Sequence, residues 1–214
     1  LLTMATLFSF TGCSSSDDDS SESSVDLSNI ASAMITEGTT EALTTDYAYI
    51  MNDDGTISVS GYTGSDTDLT VPGLIDGYVV TGIADHAFEA NADIKSITLP
   101  NGLITIGESA FSDCSSLTTV VIPDTVGTIR RGAFISCTAL TTLDIPASVT
   151  EIMEEAFTGC AALKDLTIES STVEFTNWWV DTDEIPSDLT ITCPKDSKIA
   201  AWAEKNNVAT EPLS

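Results

Sequence analysis

The feature that most constrains the fold of this chain is an internal repeat of 23 residues. Three ungapped blocks of 23 residues cover residues 94–162 and place the same residue types in register, with some columns extending upstream. Agreement at this many columns indicates a structural repeat. The columns are Phe88, Phe111, Phe134 and Phe157; Ala87, Ala110, Ala133 and Ala156; Ile83, Ile106, Ile129 and Ile152; Pro100, Pro123 and Pro146; and Cys114, Cys137 and Cys160.

A repeat of this length predicts a solenoid. One unit is too short to bury its own apolar side, whereas stacked units bury a continuous core. In the unit that begins at Leu117, apolar residues alternate with threonine as in a short strand, and Pro123 ends that strand because proline cannot donate to the next one. We expect strands of successive units to pair in parallel, about 4.8 Å apart. The residues expected to face inward are Leu117, Val120, Ile122, Val126, Ile129, Ala133 and Phe134.

The residues from Leu117 to Cys137 follow the pattern Leu-x-x-Val-x-Ile-Pro-x-x-Val-x-x-Ile-x-x-x-Ala-Phe-x-x-Cys, which resembles the BspA-like leucine-rich repeat. The resemblance is close from Ile94 to Ile168, and Leu69–Ile83 is interpreted as a first coil with an insertion around Asp76-Gly77. We therefore predict a leucine-rich-repeat solenoid, mostly β with short parallel strands, over residues 69–168. The resemblance implies a surface protein that mediates adhesion to host matrix or neighbouring cells.

The segments on either side of the solenoid predict caps that cover its open ends. In residues 28–68, alternating strand formers flank Asp54-Gly55, a turn signal typical of a β-hairpin, so we predict an N-terminal segment with a hairpin cap. Residues 169–214 depart from the repeat. There Leu189–Pro194 predicts a last strand and Ser197–Asn206 a short helix, which together give a strand-plus-helix cap.

The first residues resemble the end of a bacterial lipoprotein signal peptide, which we assign to residues 1–13. A short apolar run leads to Thr11-Gly12-Cys13, which matches the lipobox of that family, although Phe10 stands where leucine is usual. The resemblance implies lipidation at Cys13 and a location at the bacterial outer membrane or cell surface. Residues 14–27, rich in serine and aspartate, predict a solvated tether. The alternative is an ordinary apolar N-terminus with one cysteine.

The negative charge of the chain limits the kinds of partner that it can bind. Seven Lys and Arg residues stand against 33 Asp and Glu residues, a formal net charge of −26. Nucleic acid is excluded as a partner because a phosphate backbone needs a basic surface, and mutual repulsion predicts a monomer. No apolar stretch reaches eighteen residues, so we expect contact with a membrane only through the lipid. On the solenoid surface, stacking is expected to place Arg131 between Glu108 and Glu154.

Residue types that carry catalysis or bind metals are sparse in this chain. The single histidine, His86, occupies a position where other repeats have Ser109, Gly132 and Glu155, which indicates an exposed site. The repeat cysteines lack the paired spacing of zinc ligands; we interpret them as buried free thiols, with a disulfide between neighbouring coils as the alternative. Motifs of hydrolases and phosphate-binding loops are missing from the sequence. We predict a non-enzymatic protein with no catalytic residue, no metal site and no cofactor.

The outward side chains of the repeat strands form the predicted binding face. This face is rich in threonine, carries lysine at both ends, and offers hydroxyl groups to a protein or a glycan. The alternative is that threonine is simply a favourable residue for an exposed strand. The candidates are Lys95, Ser96, Thr98, Thr118, Thr119, Val121, Thr141, Thr142, Asp144, Lys164, Asp165 and Thr167.

Two adjacent tryptophans, Trp178 and Trp179, form a second candidate site. Neighbouring residues of a strand point to opposite sides, so we expect one indole to fill the last coil and the other to be exposed. An exposed indole would offer a platform to a sugar ring or a cation. The main functional prediction is therefore protein recognition or adhesion by the solenoid, and the alternative is a carbohydrate-binding or accessory module built on these indoles.

Overall fold

The computed structural model describes residues 46–179 and 185–213. The signal peptide, the lipidation site Cys13, the tether at 14–27 and most of the N-terminal segment that begins at residue 28 lie outside the described residues. The boundaries assigned to these segments, and those of the solenoid and its caps, stay predictions.

Fifteen strands and one helix are described. In chain order they are β1 (Tyr47–Met51), β2 (Ile57–Tyr62), β3 (Asp68–Thr70), β4 (Leu74–Ile75), β5 (Tyr78–Ile83), β6 (Ser96–Thr98), β7 (Thr105–Ile106), β8 (Thr119–Val121), β9 (Thr128–Ile129), β10 (Thr142–Ile145), β11 (Glu151–Ile152), β12 (Asp165–Ile168), β13 (Glu174–Phe175), β14 (Thr190–Cys193), α1 (Lys198–Lys205) and β15 (Ala209–Pro212).

Each coil of the solenoid contributes one strand to a front wall and one to a back wall. The front wall consists of β3-β6-β8 followed by β10-β12-β14-β15, and the back wall has the order β1-β2-β5-β7-β9-β11-β13. All neighbours in both walls are parallel except the β1–β2 pair, and β4 adds a short antiparallel pairing to β5. Successive strands of the repeats pair 23 residues apart, as Ile106 does with Ile129. The predicted parallel solenoid is confirmed.

A continuous core lies between the two walls. All the residues predicted to face inward are buried. The four phenylalanines of the repeat stack along the solenoid axis with ring centroids 5.3, 5.4 and 6.1 Å apart and planes within 13° of parallel. We call this stack the phenylalanine ladder. It exists because a repeat places the same side chain at the same height in each coil, so every ring finds an identical partner.

The repeat cysteines form a second column beside the phenylalanine ladder. They are buried free thiols, as the sequence predicted. Each sulfur donates a hydrogen bond of 3.1 Å to the carbonyl of the phenylalanine one coil earlier: Cys114 to Phe88, Cys137 to Phe111 and Cys160 to Phe134. Burial raises the pKa of Cys114 to about 12 and that of Cys160 to about 12, and raises the pKa of Cys137 further. Thiols held protonated in this way are poor nucleophiles and poor metal ligands.

Each coil also passes twice through left-handed backbone, which the sequence analysis did not anticipate. Glycine occupies only one position of four in each of the two columns, so residues with side chains adopt positive φ at the others. The repeat tolerates these conformations because the same backbone hydrogen bonds recur in each coil. The φ values are 59°, 50°, 60° and 61° for His86, Ser109, Gly132 and Glu155, and 56°, 58°, 57° and 74° for Ala90, Asp113, Ser136 and Gly159.

The elements at both ends of the solenoid agree with the sequence patterns. β1 and β2 form an antiparallel hairpin whose turn contains Asp54-Gly55, and β2 continues the back wall through its pairing with β5. At the other end, the side chain of Ser197 accepts a hydrogen bond of 3.1 Å from the Ala200 amide and so begins α1. The predicted hairpin, last strand and helix are present, and their role as caps stays a prediction.

Candidate binding face

The twelve residues of the predicted binding face lie on the outer side of the front wall or directly before its strands. Ten of them are exposed, and Ser96 and Thr167 are half-buried. The strand register gathers most of them into two columns. Because most side chains in these columns are short, they leave the strands accessible to a partner.

Four residues that the sequence analysis did not assign extend this face. Asp68 and Thr70 pair in register with Ser96 and Thr98 at one end, and Thr190 and Thr192 pair with the β12 residues at the other. The sequence carried a signal for them, since a first coil from Leu69 and a last strand over Leu189–Pro194 were predicted, and the alternation of inward and outward residues continues through both.

The front wall is divided near its middle. Strands β8 and β10 are neighbours, but in the described part of the chain they belong to separate hydrogen-bonded sheets. Thr119 lies on one side of this seam and Thr142 on the other. Val121, which is 49% exposed, is the apolar member of the face and lies beside the seam.

Polar contacts order the two ends of the face. The Ser96 hydroxyl donates to Asp68 Oδ1 over 2.6 Å, and the Thr118 hydroxyl donates to the Lys95 carbonyl over 2.9 Å. At the other end, Lys164 Nζ lies 3.2 Å from Asp188 Oδ2, so its charge is compensated within the chain. Asp144 and Asp165 add exposed carboxylates to that half.

The expectation that one tryptophan is exposed is wrong: Trp178 is 0% and Trp179 5% exposed. The reason is their place in the coil. The Phe134 amide donates to the Ala156 carbonyl, and in the next coil the Phe157 amide donates to the Trp178 carbonyl. Trp178-Trp179 therefore stands where Ala-Phe stands in the repeat, in a turn segment in which both residues face the core. The alternation of a strand does not apply there, and these indoles offer no platform to a sugar.

The other charged and polar candidates lie on the surface. His86 is exposed as predicted, and its Nδ1 lies 3.0 Å from Glu89 Oε2. Arg131 pairs with Glu108 at 2.5 Å, while no ion pair to Glu154 forms in the described part of the chain; Arg130 instead lies 3.5 Å from Asp85. The hydrogen bond to Glu108 and the negative charges of Glu108, Glu155 and Glu154 raise the pKa of Arg131.

Two further features bear on what the described residues can do. No cluster of three His, Cys, Asp or Glu side chains among them has an arrangement suited to a metal ion. Of the helices in the described part, none has the length and apolar character needed to cross a membrane.

The comparisons with known proteins agree with this geometry. Residues 80–188 match the family described as the BspA type leucine rich repeat region, in six copies. No curated protein sequence is significantly similar to the chain.

Solved structures share the fold. A leucine rich repeat protein of T. pallidum is 25% identical, with a TM-score of 0.65 over 72% of this chain and 71% of that chain. A leucine-rich repeat protein of Bacteroides capillosus is 30% identical, with a TM-score of 0.53 over 58% of this chain and 95% of that one. The pneumococcal vaccine antigen PcpA is 21% identical, with a TM-score of 0.53 over 78% of this chain and 47% of that protein.

Proposed function

Because this chain belongs to the BspA-type leucine-rich repeat family, we propose that it is a non-enzymatic cell-surface protein that binds other proteins through its front wall. The observation that carries this proposal is the exposed face of hydroxyl side chains around Val121. An apolar centre with a polar surround is the usual arrangement of a protein–protein interface. The hydroxyl groups of Thr119 and Thr142 supply hydrogen bonds on both sides of the seam.

The core of the molecule supports a binding role over a catalytic one. The buried polar side chains that repeat along the solenoid are thiols held protonated, and they already donate to backbone carbonyls. The exposed His86 is engaged with Glu89 and lies outside any described cluster of potential metal ligands. Recognition by exposed strand residues needs neither an activated nucleophile nor a cofactor.

Attachment to the cell surface is the second part of the proposal. The lipobox-like Thr11-Gly12-Cys13 supports a lipid on Cys13, and residues 14–27 would hold the solenoid away from the membrane. Metabolic labelling with radioactive palmitate in a bacterial host tests it. We expect label in the natural chain and none in Cys13→Ser. Equal labelling of both would contradict anchoring at Cys13 and leave the binding face untouched.

Binding is tested by presenting the full chain to immobilised matrix proteins and to a glycan array at physiological salt. We expect saturable binding to a protein, weakened about ten-fold or more by Thr119→Arg because a long charged side chain disrupts the packing of an interface. Thr150→Arg is the matched control, since Thr150 is also exposed but belongs to the back-wall side of its coil.

Other outcomes of that screen decide against the proposal. Equal loss in Thr119→Arg and Thr150→Arg would show that the front wall is not the site. Binding to glycans alone, still weakened by Thr119→Arg, would keep the face and replace the protein partner with a carbohydrate.

A further inference from the structure

A groove of about 390 Å³ lies on the back side of the solenoid, away from the proposed binding face. The N-terminal hairpin forms one side through Ile50 and Asn52, and the first coils form the other through Ile104 and Thr105. Because the hairpin supplies one side, the lining of this groove differs from that of surfaces formed by the repeats alone.

Two exposed isoleucines line this groove, one from the hairpin and one from the first coils. Ile50 is 52% and Ile104 39% exposed, and they are two of the five large apolar side chains with high exposure in the described part of the chain. The repeat does not require an aliphatic residue at either place. In the column of Ile104, the other coils have Thr81, Gly127 and Thr150. Water-exposed aliphatic residues that converge on one groove are typical of a contact surface.

The groove is preformed. Strand register sets Ile50, Ser58, Gly82 and Thr105 in one row across the back wall. Gly82 leaves room in that row because a Cβ there would lie 2.5 Å from Ser58 Oγ.

Hydrogen bonds between side chains hold the hairpin against the first coil. Asn52 Oδ1 accepts from the Ser58 hydroxyl over 3.0 Å, and Asn52 Nδ2 donates to Thr81 Oγ1 over 3.2 Å. Because these side chains are already ordered, binding costs little further conformational entropy, which favours affinity for a ligand that fits the groove.

The charge of the groove selects a cationic ligand. Its charged lining residues are Asp54, Asp85 and Arg130, and Arg130 lies 3.5 Å from Asp85. Asp54 forms no ion pair with a described residue. Its Oδ1 accepts from the Thr56 hydroxyl over 2.6 Å and from the Thr56 amide over 2.9 Å, which lowers the pKa of Asp54 and keeps it ionised at neutral pH.

We propose that this groove binds an extended segment of another protein that carries an aliphatic side chain next to lysine or arginine. The aliphatic side chain packs between Ile50 and Ile104, and the cation lies beside Asp54. The chain's own charge of −26 argues against a second copy of this protein, and equally against an anionic ligand. This inference goes beyond the proposed function, because it concerns a second surface on the opposite wall.

The first test is selection of peptides from a displayed random library on the full chain. We expect selected peptides to pair Lys or Arg with an adjacent Ile, Leu or Val, and to bind more weakly as salt rises. Ile104→Ser is expected to weaken them about ten-fold, by removing one apolar wall. Tyr78→Ser is the matched control, since it also replaces a large, similarly exposed side chain by serine, at a residue that lines neither this groove nor the front wall. Asp54→Asn keeps the oxygen that accepts from Thr56 and should reduce both the affinity and its salt dependence.

The second test identifies the occupant directly. A benzophenone amino acid replaces Ile104 in the full chain, which is then irradiated with a selected peptide and analysed by mass spectrometry. A cross-link to the peptide supports the proposal. Cross-links to residues 1–45 of the same chain, or to a second copy, would assign the groove to those occupants and overturn it. Selection of no peptides, selection without basic residues, or equal weakening by Ile104→Ser and Tyr78→Ser would overturn it as well.

Discussion

The phenylalanine ladder and the aromatic cluster at its C-terminal end both fill the core with aromatic rings, but they arrange these rings differently. The aromatic cluster consists of Trp178, Trp179 and Trp202. In the ladder the rings of Phe88, Phe111 and Phe134 stack within 7° of parallel. Beyond Phe157 the order is lost: Trp178 meets Phe157 at 62° and Trp202 of α1 at 75°. A repeated ring always has an identical neighbour, whereas the last coil has none, so larger rings at varied angles fill the remaining space.

Hydrogen bonding separates the two regions further. Each thiol beside the ladder has an acceptor one coil earlier. In the cluster, the Nε1 atoms of Trp178 and Trp179 are buried and lack an acceptor among the described residues. The repeat therefore gives its buried side chains both packing and hydrogen-bond partners. At the end of the solenoid, the described residues pack against the two indoles but offer no acceptor to their N–H groups. A repeat is easy to extend and difficult to terminate.

The largest effect is expected from breaking the ladder itself. Phe134 is fully buried and stacked on both sides, so Phe134→Ala should lower the free energy of unfolding by about 3–5 kcal/mol. Urea denaturation followed by circular dichroism measures it. Phe88 stacks on Phe111 at the start of the ladder, and Phe88→Ala should cost less. Equal losses would show that stacking on two sides adds nothing.

The next effect concerns the thiols beside the ladder. Folding raises their pKa from the usual 9.0, so above about pH 9 the unfolded thiols ionise while the folded ones stay protonated. Their contribution is complete below pH 9 and is lost as the pH rises toward about 12.

Urea denaturation between pH 8 and pH 11 checks this prediction. The natural chain should lose stability more steeply than a variant with Cys114→Ala, Cys137→Ala and Cys160→Ala, which shares all its tyrosines. Parallel pH profiles would show that the thiols do not carry the dependence.

A smaller effect is expected in the aromatic cluster. Trp178→Phe keeps an aromatic ring and removes an N–H that has no described acceptor, so the loss should be about 1–2 kcal/mol, from reduced packing alone. Trp179→Phe, which removes the same kind of N–H, should behave alike. A loss near that of Phe134→Ala would mean that the indole makes a hydrogen bond, because leaving a buried partner unpaired adds to the cost.

The smallest effect is expected on the surface, away from both aromatic regions. Arg131→Ala removes an exposed ion pair with Glu108, and thermal unfolding should be unchanged within error. Arg131→Lys, which keeps the charge, is the control. A clear drop in the midpoint of thermal unfolding for Arg131→Ala but not for Arg131→Lys would contradict this prediction. It would show that surface charge, and not only the buried columns, contributes to stability.

The sequence by itself determined the architecture. The 23-residue period predicted the solenoid, because each coil packs against neighbours that carry the same residues at the same positions. The pattern within one unit predicted that Leu117 and Val120 face inward and Thr119 outward. The binding face follows from that alternation, which is why all twelve of its predicted residues lie at the surface or only half-buried.

Only the tertiary structure decided what happens where the repeat ends or is supplemented. The last Trp pair follows the repeat with one residue fewer, 22 rather than 23 after Ala156-Phe157, so its backbone position was visible only through the hydrogen bond from Phe157 to Trp178. The back groove likewise joins Ile50 to Ile104, two residues from different elements that no local pattern connects. The residues that each coil buries can be predicted from the pattern within one unit. Contacts between segments of different sequence depend on how those segments pack in the folded chain.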